Sequence, residues 1–179
     1  MNKPTMISGR VWVLRDSDGR PLDDIDTDMI YHNAHLAITD LREMGQYAFG
    51  NLEGWQDFPS RVGTGDILIA GGNFGSGSSR QQAVDCFVSL GVSLLIAESF
   101  GAIYRRNAIN SGFPIIACPG ILHESKGQLV SGETVEVDLE TGEIRKGEEA
   151  VARARPFSEV QMGIYQAGDL FSYARSHEV

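Results

Sequence analysis

The segment Gly71-Gly72-Asn73-Phe74-Gly75-Ser76-Gly77-Ser78-Ser79-Arg80 concentrates the chemistry of this chain. Its four glycines permit positive φ and let backbone approach a ligand closely. Two adjacent hydroxyls and one guanidinium follow, and arginine can hold a carboxylate through two parallel hydrogen bonds. The segment follows an apolar run and precedes a helical pattern. A helix starting near Ser79 would aim its free N–H groups and positive dipole end back at the loop, which favours an anion.

Three readings of the loop stand side by side. Gly75-x-Gly77 opens like a dinucleotide fingerprint, but Arg80 takes the third glycine position and no Gly-Lys-Ser/Thr follows. A purely structural turn would use Ser78 or Ser79 as a helix cap. The third reading is a carboxylate site with a reactive serine. Gly75-Ser76-Gly77 is not a hydrolase elbow, and no His–Asp pair is placed by sequence for a triad. A serine here would act in proton transfer, with Arg80, backbone amides and the helix terminus stabilising its alkoxide.

Other groups carry weaker signals. Six aspartates lie between Asp16 and Asp28. They lack the glycine and glutamate of a calcium loop and read as solvated charge, with Asp28 the functional candidate. His32 and His35 can supply partial positive charge near neutrality, or serve as surface or cap residues; no third ligand suggests a metal site. Arg105 and Arg106 precede Asn107 on an expected helix, where they would reach a cleft or a partner chain, or form surface ion pairs. Cys86 and Cys118 form no CxxC and read as small buried hydrophobes. Two thiolates are too few to hold an iron–sulfur cluster alone.

The elements that must position these groups alternate. Gly9–Leu14 reads as a strand, Ala34–Phe49 as a helix, and 50–65 as irregular. Asp66–Ala70 and Val92–Ala97 are apolar without alternation, as expected of strands buried on both faces. The pattern predicts helices over Arg80–Leu90, closed by Gly91, and over Phe100–Asn110, with a third short strand at Pro114–Ala117. Thr134–Leu139 alternates strictly and pairs through Thr141-Gly142 with Glu143–Arg145 as a hairpin. Val160, Ile164, Ala167, Phe171 and Ala174 mark an amphipathic C-terminal helix. The fold class is α/β, a mixed sheet with flanking helices. A single domain over 1–179 is expected, with a core at about 8–120 and the hairpin and helix at about 128–175.

Composition excludes some functions. A net charge of −9 without a basic tract argues against nucleic acid. No apolar run approaches the roughly 18 residues of a membrane span. MNKPTMISGR lacks a secretory apolar stretch, so a cytoplasmic protein is expected.

Asn73–Arg80, then Ala97-Glu98-Ser99-Phe100-Gly101-Ala102-Ile103-Tyr104-Arg105-Arg106-Asn107-Ala108-Ile109-Asn110-Ser111-Gly112-Phe113-Pro114, preceded by Asp24-Ile25-Asp26-Thr27-Asp28-Met29-Ile30, occur in one order. Together they resemble the 3-isopropylmalate dehydratase small-subunit family, the swivelling β/β/α domain of the aconitase superfamily. The resemblance spans roughly residues 8–120. It implies a hydro-lyase subunit active only with a large partner, as heterodimer or heterotetramer. The [4Fe-4S] cluster is expected on that partner, and this chain binds no cofactor. The substrate would be a small hydroxy-dicarboxylate, the isopropylmalate isomers of leucine biosynthesis. By match to the motif, Ser78 would be the catalytic base, Ser79, Arg80 and Gly77 would bind substrate, and Asp28 would lie near the cleft.

The chain departs from the family pattern at points. Many relatives carry cysteine at Ser76 and Glu-His at Gln81-Gln82. The segment that would select the substrate side group reads Tyr31-His32-Asn33-Ala34-His35-Leu36, and the next arginine is Arg42. Lack of a cation there favours an apolar or small substituent over a tricarboxylate such as homoaconitate. Dimethylmalate and citramalate-type substrates, and a non-catalytic anion-binding subunit, are the alternatives.

Overall fold

A computed structural model describes residues 2–123 and 129–177. The first residue of the expected 128–175 segment, and the outermost residues of the 1–179 span, lie outside the described residues. Along the chain come β1 (Met6–Val13), α1 (Thr27–Ile30), a 3-10 turn (Asn33–His35), α2 (Leu41–Met44) and α3 (Phe58–Arg61). Then follow β2 (Ile67–Ala70), α4 (Gln82–Ser89), β3 (Leu94–Ala97), α5 (Ala102–Asn110) and β4 (Ile115–Ala117). The chain closes with β5 (Thr134–Asp138), β6 (Glu143–Lys146), β7 (Glu149–Arg153), α6 (Glu159–Ala167) and α7 (Leu170–His177).

The strands form one seven-stranded sheet in the order β4-β3-β2-β1-β5-β6-β7. The first four are parallel to one another and the last three join antiparallel. β1 links the two parts. Its Val11–Val13 pair with Ile67–Ile69 of β2, and its Met6–Arg10 pair with β5. The mixed sheet of the expected α/β class is therefore present.

β2 has no polar alternation because both of its faces are buried. Leu68 and Ala70 enter one core with Trp12, Phe74, Phe87 and Tyr104, beneath α4 and α5. Ile67 and Ile69 enter a second core with Ile96, Val137, Ile144 and Tyr165. Buried Asp66 sets the start of β2. Its Oδ2 accepts from Arg10 Nη2 at 2.6 Å, Trp12 Nε1 at 2.7 Å and the Gly63 N–H at 2.8 Å.

Several expected elements differ. The helix over Ala34–Phe49 is broken into the 3-10 turn, α2 and a second 3-10 turn at Gly45–Tyr47. Asp40 restarts the chain by capping the Arg42 N–H at 2.9 Å, a cap inside what reads as one helix. The 50–65 stretch contains α3, opened by Phe58-Pro59, since proline suits a first helical turn. The C-terminal helix is two. Gly168 adopts φ 102°, its N–H bonds the Ile164 carbonyl at 3.0 Å, and Asp169 then caps Ser172 at 2.6 Å. The expected hairpin gains β7, whose Glu-Ala-Val-Ala-Arg sequence has a single strong β-former and lies at the sheet edge. No helix of the described residues is long and apolar enough to cross a membrane.

Candidate active site

Parallel strands deliver their carboxyl ends to one edge of a sheet, where α/β folds bind ligands. Here β2 delivers the glycine-rich loop and β3 delivers Glu98–Gly101 beside it. The loop is wedged between two other segments. On one side Gly75 N–H bonds the Ile25 carbonyl at 2.7 Å, and Thr27 N–H bonds the Ser76 carbonyl at 2.9 Å. On the other, Phe74 N–H bonds the Ser99 carbonyl at 3.0 Å and Gly101 N–H bonds the Phe74 carbonyl at 2.9 Å. Glycine is required at position 75. Its φ is 76°, and a Cβ there would overlap the Tyr104 ring.

The aspartates expected to be solvated charge mostly stitch this assembly. Asp23 accepts from the Gly72 N–H at 2.6 Å, and Asp24 from Asn73 Nδ2 at 2.8 Å. Asp26 caps α1 through the Asp28 and Met29 N–H groups at 2.9 and 2.8 Å. Short acceptors satisfying donors of a tight loop explain their density better than solvation does.

Asp28 faces Arg80. Arg80 Nη1 donates to Asp28 Oδ1 at 2.6 Å and to the Tyr31 carbonyl at 2.9 Å, and the Arg80 side chain is 14% exposed. Its Nη2 and Nε bond no other described residue. The hydrogen bond from Arg80, aided by one from the Asn33 N–H, holds the Asp28 carboxyl below its ordinary value of 3.8. Asn51 Nδ2 holds Asp28 Oδ2 at 3.0 Å, and His32 Nε2 lies 4.0 Å from the same oxygen. Asn51 had no signal in the sequence, because it sits in an irregular stretch far from the loop.

Ser78 and Ser79 are exposed and precede the helix rather than capping it. α4 begins at Gln82, and Gln81 in the cap position makes no side-chain cap bond. The reason lies in another part of the chain: Thr27 Oγ1 donates to the Ser78 carbonyl at 2.9 Å, and Asp28 holds Arg80, so neither residue joins the helix. The expected helix start near Ser79 is therefore three residues late. The consequence favours anion binding all the same. The backbone N–H groups of Gly77 through Gln82 bond no described residue. Ser78 Oγ has no partner among the described residues, and Ser79 Oγ accepts from Asn107 Nδ2 of α5 at 3.2 Å.

The segment Tyr31–Leu36 lies against this site. Tyr31 is buried and lends its carbonyl to Arg80. His32 Nδ1 accepts from the Ala34 N–H at 3.1 Å, so it caps the 3-10 turn, and His35 stacks on Tyr47 at 4.0 Å. Asn33, Ala34 and Leu36 are exposed. Gln82 Nε2 reaches the Leu36 carbonyl at 3.3 Å and Gln81 Nε2 bonds Asp85 and Ser111, so the Gln81-Gln82 departure ties α4 to its neighbours. Arg105 and Arg106 are exposed on α5 and form no ion pair among the described residues, contrary to the surface-pair alternative.

The donor set does not fit an iron–sulfur cluster. Cys86 lies in one core and Cys118 in the other, on opposite faces of the sheet. Burial pushes the Cys86 thiol far up and the Cys118 thiol up to about 11, away from the thiolate that a metal requires. No three His, Cys, Asp or Glu side chains of the described residues are arranged to hold a metal ion.

Residues 24–118 match the model of the aconitase C-terminal domain family. The chain is 38% identical over 174 residues to the isopropylmalate/citramalate isomerase small subunit of Methanocaldococcus jannaschii, covering 96% of this chain and 95% of that one. It is 40% identical to a 3-isopropylmalate dehydratase small subunit of Caldicellulosiruptor bescii, covering 86% and 89%. It is 37% identical to a 2,3-dimethylmalate dehydratase small subunit of Eubacterium barkeri, covering 87% and 93%. A crystal structure of 3-isopropylmalate dehydratase, LeuD, from Methanocaldococcus jannaschii superposes with a TM-score of 0.81 at 32% identity, covering 96% and 94%.

Proposed function

This chain belongs to the aconitase C-terminal domain family, and from that premise we propose that it is the small subunit of a two-subunit hydro-lyase interconverting 2- and 3-isopropylmalate. The observation that carries the reading is the run of N–H groups from Gly77 to Gln82, unpaired among the described residues, beside Ser78 and Arg80. Six successive N–H groups without a partner among the described residues suit a carboxylate or a developing oxyanion.

The roles follow from what each group offers. Arg80 Nη2 and Nε, with the loop amides and Ser79, bind a substrate carboxylate. Asp28 acts through Arg80: it neutralises and orients the guanidinium from behind. Ser78 is the base. Its alkoxide, stabilised by the amides and Arg80, removes the proton α to the bound carboxylate, and the hydroxyl leaves the neighbouring carbon. Readdition of water with the opposite regiochemistry completes the isomerisation. Activation of the departing hydroxyl is assigned to a [4Fe-4S] cluster on the partner large subunit, where it would supply a Lewis acid. Activity therefore requires both chains, and a cytoplasmic setting suits them.

The substrate side group is assigned to Asn33, Ala34 and Leu36, which are exposed beside Arg80 and carry no cation. This favours an apolar branch. Dimethylmalate or citramalate is the second reading, favoured by the relatives whose names include those substrates.

The test is reconstitution of this chain with candidate large subunits and anaerobic iron–sulfur assembly. Isopropylmalate, dimethylmalate, citramalate and homoaconitate are then compared. Highest kcat/KM for isopropylmalate is expected. Turnover of none of them with any partner would favour a non-catalytic anion-binding subunit.

A further inference from the structure

A cavity of about 420 Å³ opens at the same sheet edge and includes no residue from Gly75 to Arg80 in its wall. Its size falls within the roughly 300–1,000 Å³ of small-molecule sites. Arg105 reaches it from α5 and Arg155 from the segment after β7. The Arg155 N–H is pinned to the Ala117 carbonyl of β4 at 2.8 Å, so the backbone beneath that side chain is fixed. Neither arginine has an acidic partner or any side-chain hydrogen bond among the described residues. In a chain of net charge −9 that is unusual provision. Glu98 stands in the same wall, with Oε1 committed to the Leu122 N–H at 3.1 Å and to His123 Nδ1 at 2.8 Å. Phe100 and Ile115 supply apolar wall.

We propose that this cavity is a binding site for a small monocarboxylate with a compact apolar body. Two guanidinium groups take the carboxylate, since paired or bidentate arginine contacts are the strong form of that interaction. Phe100 and Ile115 cover the apolar body. Among the described residues Glu98 is the one carboxylate of the wall, its Oε1 already held by His123, and a second carboxylate of a dicarboxylate would meet it where a monocarboxylate aimed at the arginines would not. This distinguishes the site from the glycine-rich loop. Ser99 joins the two sites, because it lines the cavity while its Oγ accepts the Asn73 N–H at 2.7 Å. Occupancy therefore touches an anchor of the loop without using the loop's own groups.

The probe is 3-methylbutanoate, titrated into the full chain while the Ile115 methyl and the Ser99 and Arg155 amide NMR signals are followed. Saturable shifts at these three residues are expected. Binding should weaken about tenfold or more with 3-methylbutanamide, with succinate, and in Arg155→Ala. It should be abolished by the charge reversal Arg155→Glu; Arg155 is exposed, so neither change threatens folding. Arg80→Ala should leave the titration unchanged. Equal binding of the amide, indifference to both Arg155 variants, or loss in Arg80→Ala would overturn the proposal, the last by returning the anion to the glycine-rich loop. The outcome does not depend on the catalytic role of that loop.

Discussion

At the scale of single residues, the proposed site divides into groups offered to a substrate and groups that hold them. Arg80 stood out in the sequence because its type and place beside glycines and serines suggest an anion site. Asp28 was legible only as one aspartate among six, and its contact with Arg80 depends on folding that brings together residues 52 apart. Asn51 and Asn107 were silent for the same reason. Asp28→Asn should raise KM and lower kcat/KM by about tenfold to a hundredfold, with a smaller loss in kcat, measured by steady-state kinetics of the assembled enzyme. The pair also links stability to pH. A carboxyl with a lowered folded-state value stabilises above its unfolded value, near 3.8, and loses that contribution as pH falls through the lowered one. Urea midpoints of wild type and Asp28→Asn should therefore differ at neutral pH and converge at strongly acidic pH. A constant gap across that range would remove the linkage.

At the scale of elements, uniformly apolar strands and glycine punctuation were easy to read. β2 and β3 are buried on both faces, and their composition says so. What the sequence hid were breaks made by side chains. Asp40 interrupts one helix pattern and Gly168 with Asp169 interrupts another, because a cap satisfies backbone groups that periodicity alone would leave helical. The helix after the glycine-rich loop starts late because Thr27 and Asp28 hold Ser78 and Arg80 from another part of the chain. Two glycines separate strain from packing. Gly168→Ala, with φ 102° and open space, should cost about 1–2 kcal/mol of stability. Gly75→Ala, with φ 76° and the Tyr104 ring in the way, should cost about 2–4 kcal/mol and should also displace the glycine-rich loop. Thermal or urea unfolding of both variants checks the order; equal losses would contradict the wedging of the loop against α5.

At the scale of the whole molecule, the proposed function makes this fold half of a shared site. The loop amides, Ser78 and Arg80 lie exposed at one sheet edge, while the two thiols are sunk in separate cores. The resemblance to the family implied this division, and composition alone would not have. Neither chain should turn over isopropylmalate alone, and mixing the two should restore dehydration with saturation at a fixed ratio; activity of this chain by itself would refute the shared site. The central claim is that Ser78 carries the proton. Its direct test is the assembled enzyme bearing Ser78→Ala, with dehydration of 2-isopropylmalate followed by absorbance of the alkene product. The account predicts a fall in kcat of about 10²–10⁴-fold with KM little changed. Undiminished turnover by Ser78→Ala would contradict it.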